Sequence, residues 1–580
     1  MKKRNSLPIL FLALAFVLGG AKTPLAFCSW AIIGLIYTIF VLITSRFNNR
    51  SVLYFIALIS GLVLTQVYSL DSSNSLFWTT EYLTLSCLWL ALRGVSLDAE
   101  SHLFWCVLTG LATITVVLTV VQSVRNLVAY GAFPLNPNFN AAWMAALACG
   151  FAAKTKKTRF DVVLIVMLSV LVLLGLSRSG LIALIAGMSY VLSQRYTHRK
   201  IIAGLIIMTV ALALIPHDWL VTRLRLIEEP GRLRIWWLAL RAFWDYPLTG
   251  YGPGNFEIAY QQHAFPEGTL VLYGHTTAFA HNDYLQAAVE LGWPLTILLV
   301  SGLMGLILFP KNQDRPLATP ARSILIVLGV ASFFNPIFKM PIFPYLAILA
   351  SSCLMMPDNN SSLKQPANIR GFWLAGIPAG ILVLVLWCGL RSFWAANGQW
   401  VRIVSWNPSD AEAWHNLAYA SSDKNEVLLA NERAVSQSPH QVYYVEALAR
   451  AQESLLAENL ASGAVENYLR AIQLAPGRAI NYLGVARLLW RAGEPLEALK
   501  WTTRARALEP YYWESDLWSA RCFERMGDKD RARQVLIALI GRYEQFLHVS
   551  HPEPESPYEQ AILSFDRSVV ESELSRLRTR

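Results

Sequence analysis

The sequence predicts an all-α protein: a polytopic helical membrane domain of about 12–13 spans, followed by an α-solenoid of helical repeats. Three observations predict this fold. Apolar runs long enough to cross a bilayer recur through the first two thirds of the chain. The segments between these runs are basic rather than acidic. The remaining third is polar and contains an internal repeat of 34 residues.

The composition places the chain among membrane proteins. Of its 580 residues, 54% are hydrophobic and only 15% are charged, which excludes a disordered, a fibrous or a large soluble chain. Residues 1–394 carry 28 Lys and Arg against 15 Asp and Glu, whereas residues 395–580 carry 21 against 24. The excess positive charge therefore belongs to loops beside apolar runs and gives no reason to expect nucleic acid. The seven cysteines form no CxxC motif, so neither a disulfide framework nor a zinc site is indicated.

Thirteen apolar segments are candidate spans. The first follows Lys2, Lys3 and Arg4, and we interpret it as a retained span rather than a cleaved signal peptide because many spans follow it. The segments within 139–193 are short for a bilayer. The thirteen segments are 7–20, 25–45, 52–70, 76–92, 103–123, 139–153, 161–176, 180–193, 201–216, 284–309, 322–336, 341–356 and 372–394.

The basic residues predict the orientation of these spans. If Met1 is cytoplasmic, alternation places eighteen Lys and Arg residues on the inner side and five on the short outer segments. Short basic loops resist translocation, so this topology is favoured. It divides the chain into a membrane domain, 1–394, with a long outer loop, 217–283, and an outer repeat domain, 395–580. This topology places both outer parts on the side of the membrane opposite Met1.

The repeat domain has the spacing of tetratricopeptide repeats. Ala486, Gly493 and Ala498 recur 34 residues later as Ala520, Gly527 and Ala532. Small residues at these positions let the two helices of a unit pack closely. Looser matches before them indicate four units between about 405 and 545, followed by a polar extension. The ligand of such a solenoid is not readable from the repeats, although a protein partner is one expectation.

The outer loop 217–283 contains the residues most suggestive of chemistry. An amphipathic helix is predicted over 232–244, with Ile235, Trp236, Leu240 and Phe243 on one face that would rest on the membrane surface. After it, the glycines at 250, 252 and 254 form a turn whose backbone N–H groups would be able to hold an anion, though such a turn alone is weak evidence.

Two charged residues lie against apolar runs. Glu290 falls inside the span 284–309, where burying a carboxylate is costly and therefore indicates either function or a local pairing near the interface. Arg178 lies between two short spans, where it would bind a phosphate group of a lipid or simply extend to the headgroups. The residues alone leave both alternatives open.

Taken in order, the motifs of the chain resemble the O-antigen ligase and Wzy-type polymerase superfamily over about residues 1–356. The resemblance rests on four motifs and on Asn136-Pro137-Asn138 before a span. One departure is Phe279, which stands where the family usually has the first histidine of His-x-His-Asn, and this leaves His281 as the candidate. The four motifs are Ser177-Arg178-Ser179-Gly180, Gly231-Arg232-x3-Trp236, Pro247-Leu-x-Gly250-x-Gly252-x-Gly254 and His281-Asn282-x2-Leu285-x4-Glu290-x-Gly292.

The resemblance implies a metal-independent transfer of a glycan from undecaprenyl pyrophosphate to an acceptor hydroxyl, without a cofactor. It also implies a bacterial inner-membrane location, with the loop 217–283 and the repeat domain in the periplasm. Arg178 and Arg232, with Arg234 as a third, would neutralise the pyrophosphate as it leaves. His281 would act as general base or bind the pyrophosphate, and Glu290 would orient it or the start of its helix. The residues expected to help bind substrate are Arg234, Asn138, Gly252, Gly254 and Asn282.

Several alternatives remain at this stage. The acceptor would be lipid A–core in a ligase, another lipid-linked glycan in a polymerase, or a protein hydroxyl in an oligosaccharyltransferase. A transporter would need paired charges near the middle of the membrane and matched halves, and the sequence shows neither. A non-catalytic scaffold for envelope assembly would leave the cluster of Arg and His residues dispensable.

Overall fold

A computed structural model describes most of the chain, and its regular secondary structure is helical throughout the described residues. These form two compact units. The first comprises Met1–Tyr68, Ser75–Pro253 and Phe279–Asn397, and the second comprises Ser69–Asn74, Gly254–Ala278 and Gly398–Arg580. The described residues are 2–45, 47–95, 97, 100–124, 137–175, 177–194, 230–264, 277–308, 315–355, 369–455, 458–547, 560–561 and 564–579.

The first unit, called the membrane unit below, contains a helix at twelve of the thirteen predicted spans. The remaining predicted span, 201–216, lies outside the described residues. So do His217, Arg223, Arg225 and His275 of the outer loop. The helices are α1 (Lys2–Val17), α2 (Pro24–Thr44), α3 (Asn49–Val67), α4 (Ser72–Arg93), α5 (Ser101–Val124), α6 (Pro137–Ala153), α7 (Arg159–Leu174), α8 (Arg178–Ser193), α9 (Pro230–Phe243), α10 (Phe256–His263), α11 (Asp283–Leu308), α12 (Ala318–Ser332), α13 (Ile342–Leu354) and α14 (Ile369–Ala396), of which α10 belongs to the second unit.

Five of these helices are long and apolar enough to cross a membrane. They are α2, α3 and α11, together with the segments Ser101–Gln122 of α5 and Gly371–Ala396 of α14. Parts of α1, α8, α12 and α13 are apolar but shorter. The chain is therefore a multi-pass membrane protein.

Helix α6, which is short for a membrane span, lies in the interior of the unit. Nearly every residue from Phe139 to Ala153 is buried, including Trp143. Small residues allow its neighbours to approach: a Cβ on Gly180 of α8 would lie 2.4 Å from the Cβ of Ala141. Because α6 packs against α7, α8 and α12, it meets protein over most of its length. Most of its surface therefore meets protein rather than lipid.

Local signals in the sequence define several helix ends. Thr23 caps α2, whose first residue is Pro24, and the Thr158 hydroxyl accepts from the Asp161 N–H at the start of α7. The Asp161 carboxylate accepts in return from the Thr158 N–H, which completes a capping box. Ser177 caps α8 through a hydrogen bond from the Gly180 N–H.

The second unit, called the repeat unit below, is a series of four helical hairpins, as the repeat spacing predicts. A short helix α15 (Trp400–Trp406) precedes them. The hairpins pair α16 (Ala411–Ala420) with α17 (Lys424–Gln437), α18 (Val442–Leu455) with α19 (Glu458–Leu474), α20 (Ala479–Arg491) with α21 (Pro495–Leu508), and α22 (Trp513–Arg525) with α23 (Lys529–Leu547); helix α24 (Arg567–Thr579) packs on α23.

Two segments from before residue 395 also belong to the repeat unit. In one of them, α10, the Glu257 carboxylate accepts a hydrogen bond from the Tyr443 hydroxyl at 2.5 Å. The Gln261 amide donates to the same hydroxyl at 2.9 Å. In the other, the Asn74 amide donates to the Gly254 carbonyl at 3.0 Å and to the Asn255 side chain at 2.9 Å.

Candidate functional site

The segment around His281 is fixed by hydrogen bonds at the start of α11. The Asn282 side chain accepts from the Leu285 N–H at 3.0 Å and so caps the helix. His281 itself has a positive φ of 52°, a conformation that non-glycine residues rarely adopt. The Gln286 amide oxygen accepts from the Ala280 N–H at 3.0 Å, which holds the residue next to His281. The described contact of Asn282 is therefore structural, and a substrate contact remains a prediction.

Glu290 lies one turn beyond Gln286 on the same helix and is part of a buried ion pair. Its side chain is 1% exposed and accepts from the Lys339 ammonium at 2.6 Å. The Gln286 amide donates to its other oxygen at 2.7 Å. The Lys339 ammonium also lies 4.3 Å from the centre of the Trp78 ring, a cation–π contact. Through Gln286, this pair is connected to the backbone beside His281.

The glycine-rich turn packs onto a break in α11. Gly292 has φ 74° and ψ 167°, so the helix is interrupted there. The Tyr251 and Gly252 N–H groups donate to the Val289 and Glu290 carbonyls, each at 2.9 Å, and the Trp293 N–H donates to the Pro247 carbonyl at 2.8 Å. A Cβ on Gly250 would lie 2.3 Å from the Glu290 carbonyl oxygen. The glycines thus allow the backbone of the turn to pack directly against the backbone of α11.

These bonds give the turn a role different from anion binding. The Gly252 N–H is engaged by the Glu290 carbonyl, and Gly254 lies in the repeat unit. Tyr251 is buried and its hydroxyl donates to the Asp245 carboxylate at 2.6 Å. Burial, together with this hydrogen bond, raises the pKa of Tyr251, so it stays neutral. Binding of substrate by Gly252 or Gly254 is a prediction that these contacts do not supply.

Helix α9 brings Arg232 towards the His281 segment. Trp236, one turn after Arg232, donates from its indole nitrogen to the Ala280 carbonyl at 3.0 Å. The Arg232 Nη1 lies 3.5 Å from the Phe334 carbonyl oxygen, a long hydrogen bond. Arg234 is two residues further, and two residues on an α-helix point about 200° apart. The structure therefore does not place Arg234 on the face that Arg232 and Trp236 share.

The exposed apolar face of α9 differs from the face that the sequence predicts. Leu240 is exposed as expected, but its apolar neighbours on the surface are Leu233, Trp237 and Trp244. Ile235, Trp236 and Phe243 are instead half-buried. The reason is that α9 packs against α11 through its small residues, Ala239 and Ala242, and this contact selects the buried face.

Arg178 begins α8, and the other three residues of its motif have structural roles. The Ser177 hydroxyl donates to the Asn138 side chain at 2.7 Å and caps the helix. Ser179 accepts from the Asn335 amide at 2.6 Å, and Gly180 permits close packing on α6. Arg178 is the exposed side chain of the four. Asn138, predicted to bind substrate, thus anchors the helix that carries Arg178.

The predicted residues converge on the turn 333–340 between α12 and α13. Its Phe334 carbonyl meets Arg232, its Asn335 amide meets Ser179 beside Arg178, and its Lys339 meets Glu290. The Phe338 N–H also donates to the Asp283 carboxylate at 3.0 Å. One turn therefore contacts every element that carries a predicted catalytic residue.

Sequence reasoning missed the residues that assemble this site. Lys339, Asn335 and Gln286 were not assigned roles, because each is distant in sequence from its partner or lies inside a span. A usable signal existed for two of them. Lys339 is an isolated cation on a predicted outer turn near an isolated buried carboxylate, and Gln286 precedes Glu290 by one helical turn.

Comparison with known families supports this assignment for part of the chain. A family model described as O-antigen ligase (Wzy_C) matches residues 163–300. The match includes Arg178, Arg232, Arg234, His281 and Glu290 and thus supports the O-antigen ligase superfamily for this region. No curated protein matches the chain.

Three solved structures resemble a minor part of the chain. Two crystal structures of MamA are 16% and 14% identical to it, cover 26% and 28% of it and 88% and 86% of their own chains, and each has a TM-score of 0.24. TTC0263, a thermophilic TPR protein in Thermus thermophilus, is 19% identical, covers 34% of this chain and 95% of its own, and has a TM-score of 0.25. These likenesses carry no argument about function.

Proposed function

We propose that the protein transfers a glycan from a lipid-linked pyrophosphate donor, undecaprenyl pyrophosphate, to an acceptor hydroxyl at the outer face of the bacterial inner membrane. The observation that carries the proposal is that Arg232, Ser179 beside Arg178, and Asp283 beside the His281 segment all contact one turn, and that these residues lie in a region that matches an O-antigen ligase family model. Two cations and a histidine at one end of a helical membrane unit suit a reaction whose leaving group is a pyrophosphate.

The reaction is a displacement at the anomeric carbon. The acceptor oxygen forms the new bond to that carbon, and the bond from the carbon to the phosphate oxygen breaks. The electron pair of the broken bond leaves with the lipid pyrophosphate, and the acceptor proton passes to His281 or to the departing phosphate. Because pyrophosphate is already a good leaving group, catalysis consists mainly of positioning and of neutralising the growing negative charge.

The residues divide into two kinds. Arg178 and Arg232 contact the pyrophosphate, with Arg234 as a less direct third cation. His281 acts as general base or as a pyrophosphate donor. Glu290, which is buried and paired with Lys339, acts through Gln286 on the backbone beside His281, so we assign it a positioning role. Asn138 positions Arg178 through Ser177 in the same sense.

The test replaces Arg232 with Ala and compares the variant with Arg241→Ala on the same helix. Arg241 is exposed and lies over the Trp237 ring, 5.2 Å from its centre. Gels of lipid-linked and surface glycan, run from a strain lacking the gene, should show transfer by Arg232→Ala reduced by about 100-fold or more. Arg241→Ala should restore glycan transfer in this strain as the wild-type protein does. Normal glycan transfer by Arg232→Ala at normal expression would remove the catalytic assignment of Arg232. The protein would then be interpreted as a non-catalytic scaffold for envelope assembly.

The same gels identify the acceptor class. In the deletion strain, accumulation of long lipid-linked chains would indicate a ligase, or a protein oligosaccharyltransferase if glycosylated protein is lost. Accumulation of single repeat units would indicate a polymerase. A proposed independence from metal ions is tested with purified protein, where EDTA should leave the transfer rate unchanged; loss of activity that Mg²⁺ restores would overturn it.

A further inference from the structure

A second feature of the membrane unit is a large cavity that reaches the candidate site at one end only, where Gln286 and Lys339 line it. Its volume is about 1250 Å³, larger than the ~1,000 Å³ upper range of ordinary small-molecule pockets. It is enclosed by α3, α4, α11, α12 and α13. One end lies beside Asp283 and Lys339, and the other lies where α3 and α12 begin and α4 and α13 end. The cavity thus extends along the helices rather than across them.

The end of the cavity opposite the candidate site is basic. Arg50, Arg93 and Arg322 line it, and the charge distribution predicts that this end is cytoplasmic. Among the described residues that line the whole cavity, four are basic and one, Asp283, is acidic. Asp283 lies at the other end, where it accepts from the Phe338 N–H. The arginines therefore face a cavity end that has no acidic lining residue among those described.

Arg322 is the strongest indication of a ligand. It is 3% exposed, so its charge is buried inside the unit. Its Nη1 donates to the Tyr190 hydroxyl at 3.1 Å, and its Nε lies 3.5 Å from the Leu306 carbonyl oxygen. Its Nη2 is buried and has no hydrogen-bond partner, and within the described part of the chain Arg322 forms no ion pair. A buried guanidinium without an anion is costly, which points to a bound anion.

The rest of the cavity is mainly apolar, with a few hydroxyl groups such as those of Tyr54, Ser86 and Ser301, and suits hydrocarbon chains. Its walls between the two ends include Leu58, Leu299 and Leu325. Gly305 of α11 also lines it, and a Cβ there would meet nothing within 4 Å. A phosphate at one end of a long apolar cavity is the arrangement of a phospholipid. We infer that this cavity binds an anionic glycerophospholipid of the surrounding bilayer, with the phosphate at Arg322 and the acyl chains along α11.

The experiment uses the full chain in bilayer nanodiscs that mix dioleoyl phosphatidylglycerol with dioleoyl phosphatidylcholine. Native mass spectrometry after release counts the retained lipids. Wild type should retain phosphatidylglycerol in preference to phosphatidylcholine, and Arg322→Gln should lower its occupancy by roughly tenfold, because a charge-assisted hydrogen bond is lost. Arg159→Gln, an exposed arginine of α7 outside the cavity, is the matched control and should retain the lipid. Equal retention by Arg322→Gln and wild type would overturn the inference.

A second variant tests the acyl-chain site without changing any charge. Gly305→Leu places a side chain in the open space of the cavity, and Leu is a better helix former than Gly, so folding is preserved. The Gly305→Leu protein should no longer retain phosphatidylglycerol. Gly376→Leu on α14 is the control, because a Cβ there also meets nothing within 4 Å but Gly376 does not line this cavity. The Gly376→Leu protein should retain the lipid. Retention of phosphatidylglycerol by Gly305→Leu would contradict the proposed position of the chains.

Competition separates the possible sources of the phosphate. Inorganic phosphate, at concentrations that saturate Arg322, should not displace phosphatidylglycerol, because it lacks the buried chains. Displacement by inorganic phosphate alone would reduce the site to a simple anion site and overturn the inference. Preferential binding of a polyprenyl monophosphate would also overturn it, since the cavity would then belong to the donor lipid.

Discussion

The membrane unit and the repeat unit bury ion pairs in different ways. In the repeat unit, Glu446 accepts two hydrogen bonds from the Arg478 guanidinium and one from the Asn481 amide. Glu453 likewise accepts two from Arg487 and one from the Tyr468 hydroxyl. In the membrane unit, Glu290 is paired with a lysine, which offers a compact charge rather than a planar fork.

The separations along the chain differ as well. The two pairs of the repeat unit join residues 32 and 34 positions apart, so each connects consecutive repeats. The Glu290–Lys339 pair joins α11 to the turn that also contacts Arg232 and Ser179. The comparison teaches that a buried pair can serve as a repeated structural contact or as the anchor of a single site. The following substitutions test this distinction.

The largest effect is expected from Lys339→Met. This change leaves the Glu290 carboxylate buried without a cation, which should cost about 3–5 kcal/mol of folding free energy. Melting in detergent should show the loss. The double variant Lys339→Met/Glu290→Gln should recover most of the stability but not the transfer activity, since the turn is no longer anchored. Full transfer activity in the double variant would show that the pair is only structural.

Glu446→Ala should have a similar but local effect. It leaves Arg478 buried beside an empty position, which should cost about 3 kcal/mol. Hydrogen exchange on the full chain should show faster exchange in α18 and α20, with α11 unchanged. Glu497→Ala removes an exposed pair with Lys500 and is the control, because exposed pairs contribute about 0–1 kcal/mol. Equal exchange in the two variants would contradict the structural role of Glu446.

Gly250→Ala tests the junction between the glycine-rich turn and the break in α11. The added Cβ meets the Glu290 carbonyl, and φ is 69°, so a loss of roughly 2 kcal/mol is expected together with reduced transfer. Gly376→Ala, placed in open space within α14, should be neutral or slightly stabilising. A Gly250→Ala protein with unchanged melting and transfer would show that the turn is not needed.

The smallest effect is expected on the stability of the repeat unit at acidic pH. Burial, above all, lowers the pKa of His415 to about 4, with Arg450 adding to the decrease and a hydrogen bond to Asn431 opposing it. An unfolded histidine titrates near 6.5, so the unfolded repeat unit binds this proton first. Stability should therefore fall as the pH decreases from about 6.5 to 4, and limited proteolysis of the repeat unit at pH 7 and pH 5 should show it.

The control for this prediction is His415→Gln, which should lose the dependence over that interval. The pKa of Glu446 behaves differently. Burial acts to raise it, but Arg478 outweighs burial and the pKa lies below its ordinary value. Its contribution is present above about pH 4.5 and is lost only as the pH falls further. An unchanged response between pH 7 and 5 in the His415→Gln protein would assign the effect to another group.

The sequence predicted the helices better than the site. Apolar length and the 34-residue period are local signals, so twelve helices of the membrane unit, five of them long enough to cross a membrane, and four hairpins were predictable. The residues that assemble the site come from α8, α9, α11 and the turn 333–340, and no local pattern predicts which of them meet. Arg178, Arg232 and His281 were predicted from motifs, whereas the contacts of Lys339 and Asn335 depend on the packing of distant segments.

The glycine-rich turn shows a second limit. Its composition correctly predicted close approach of the backbone, but the partner that approaches it is the interrupted helix α11 rather than an anion. The same composition serves both purposes, since each requires glycine at positive φ. Only the structure distinguishes them, because the acceptor carbonyls become available where α11 is broken at Gly292.

The attachment of this turn to α11 uses main-chain atoms. The side chain of Leu248 takes no part in these main-chain hydrogen bonds and is 62% exposed. The surface of the turn at Leu248 can thus change its chemistry while the backbone contacts with α11 are kept. Substitutions at Leu248 therefore offer a way to alter the exposed surface of this turn while the main-chain attachment to α11 keeps its geometry.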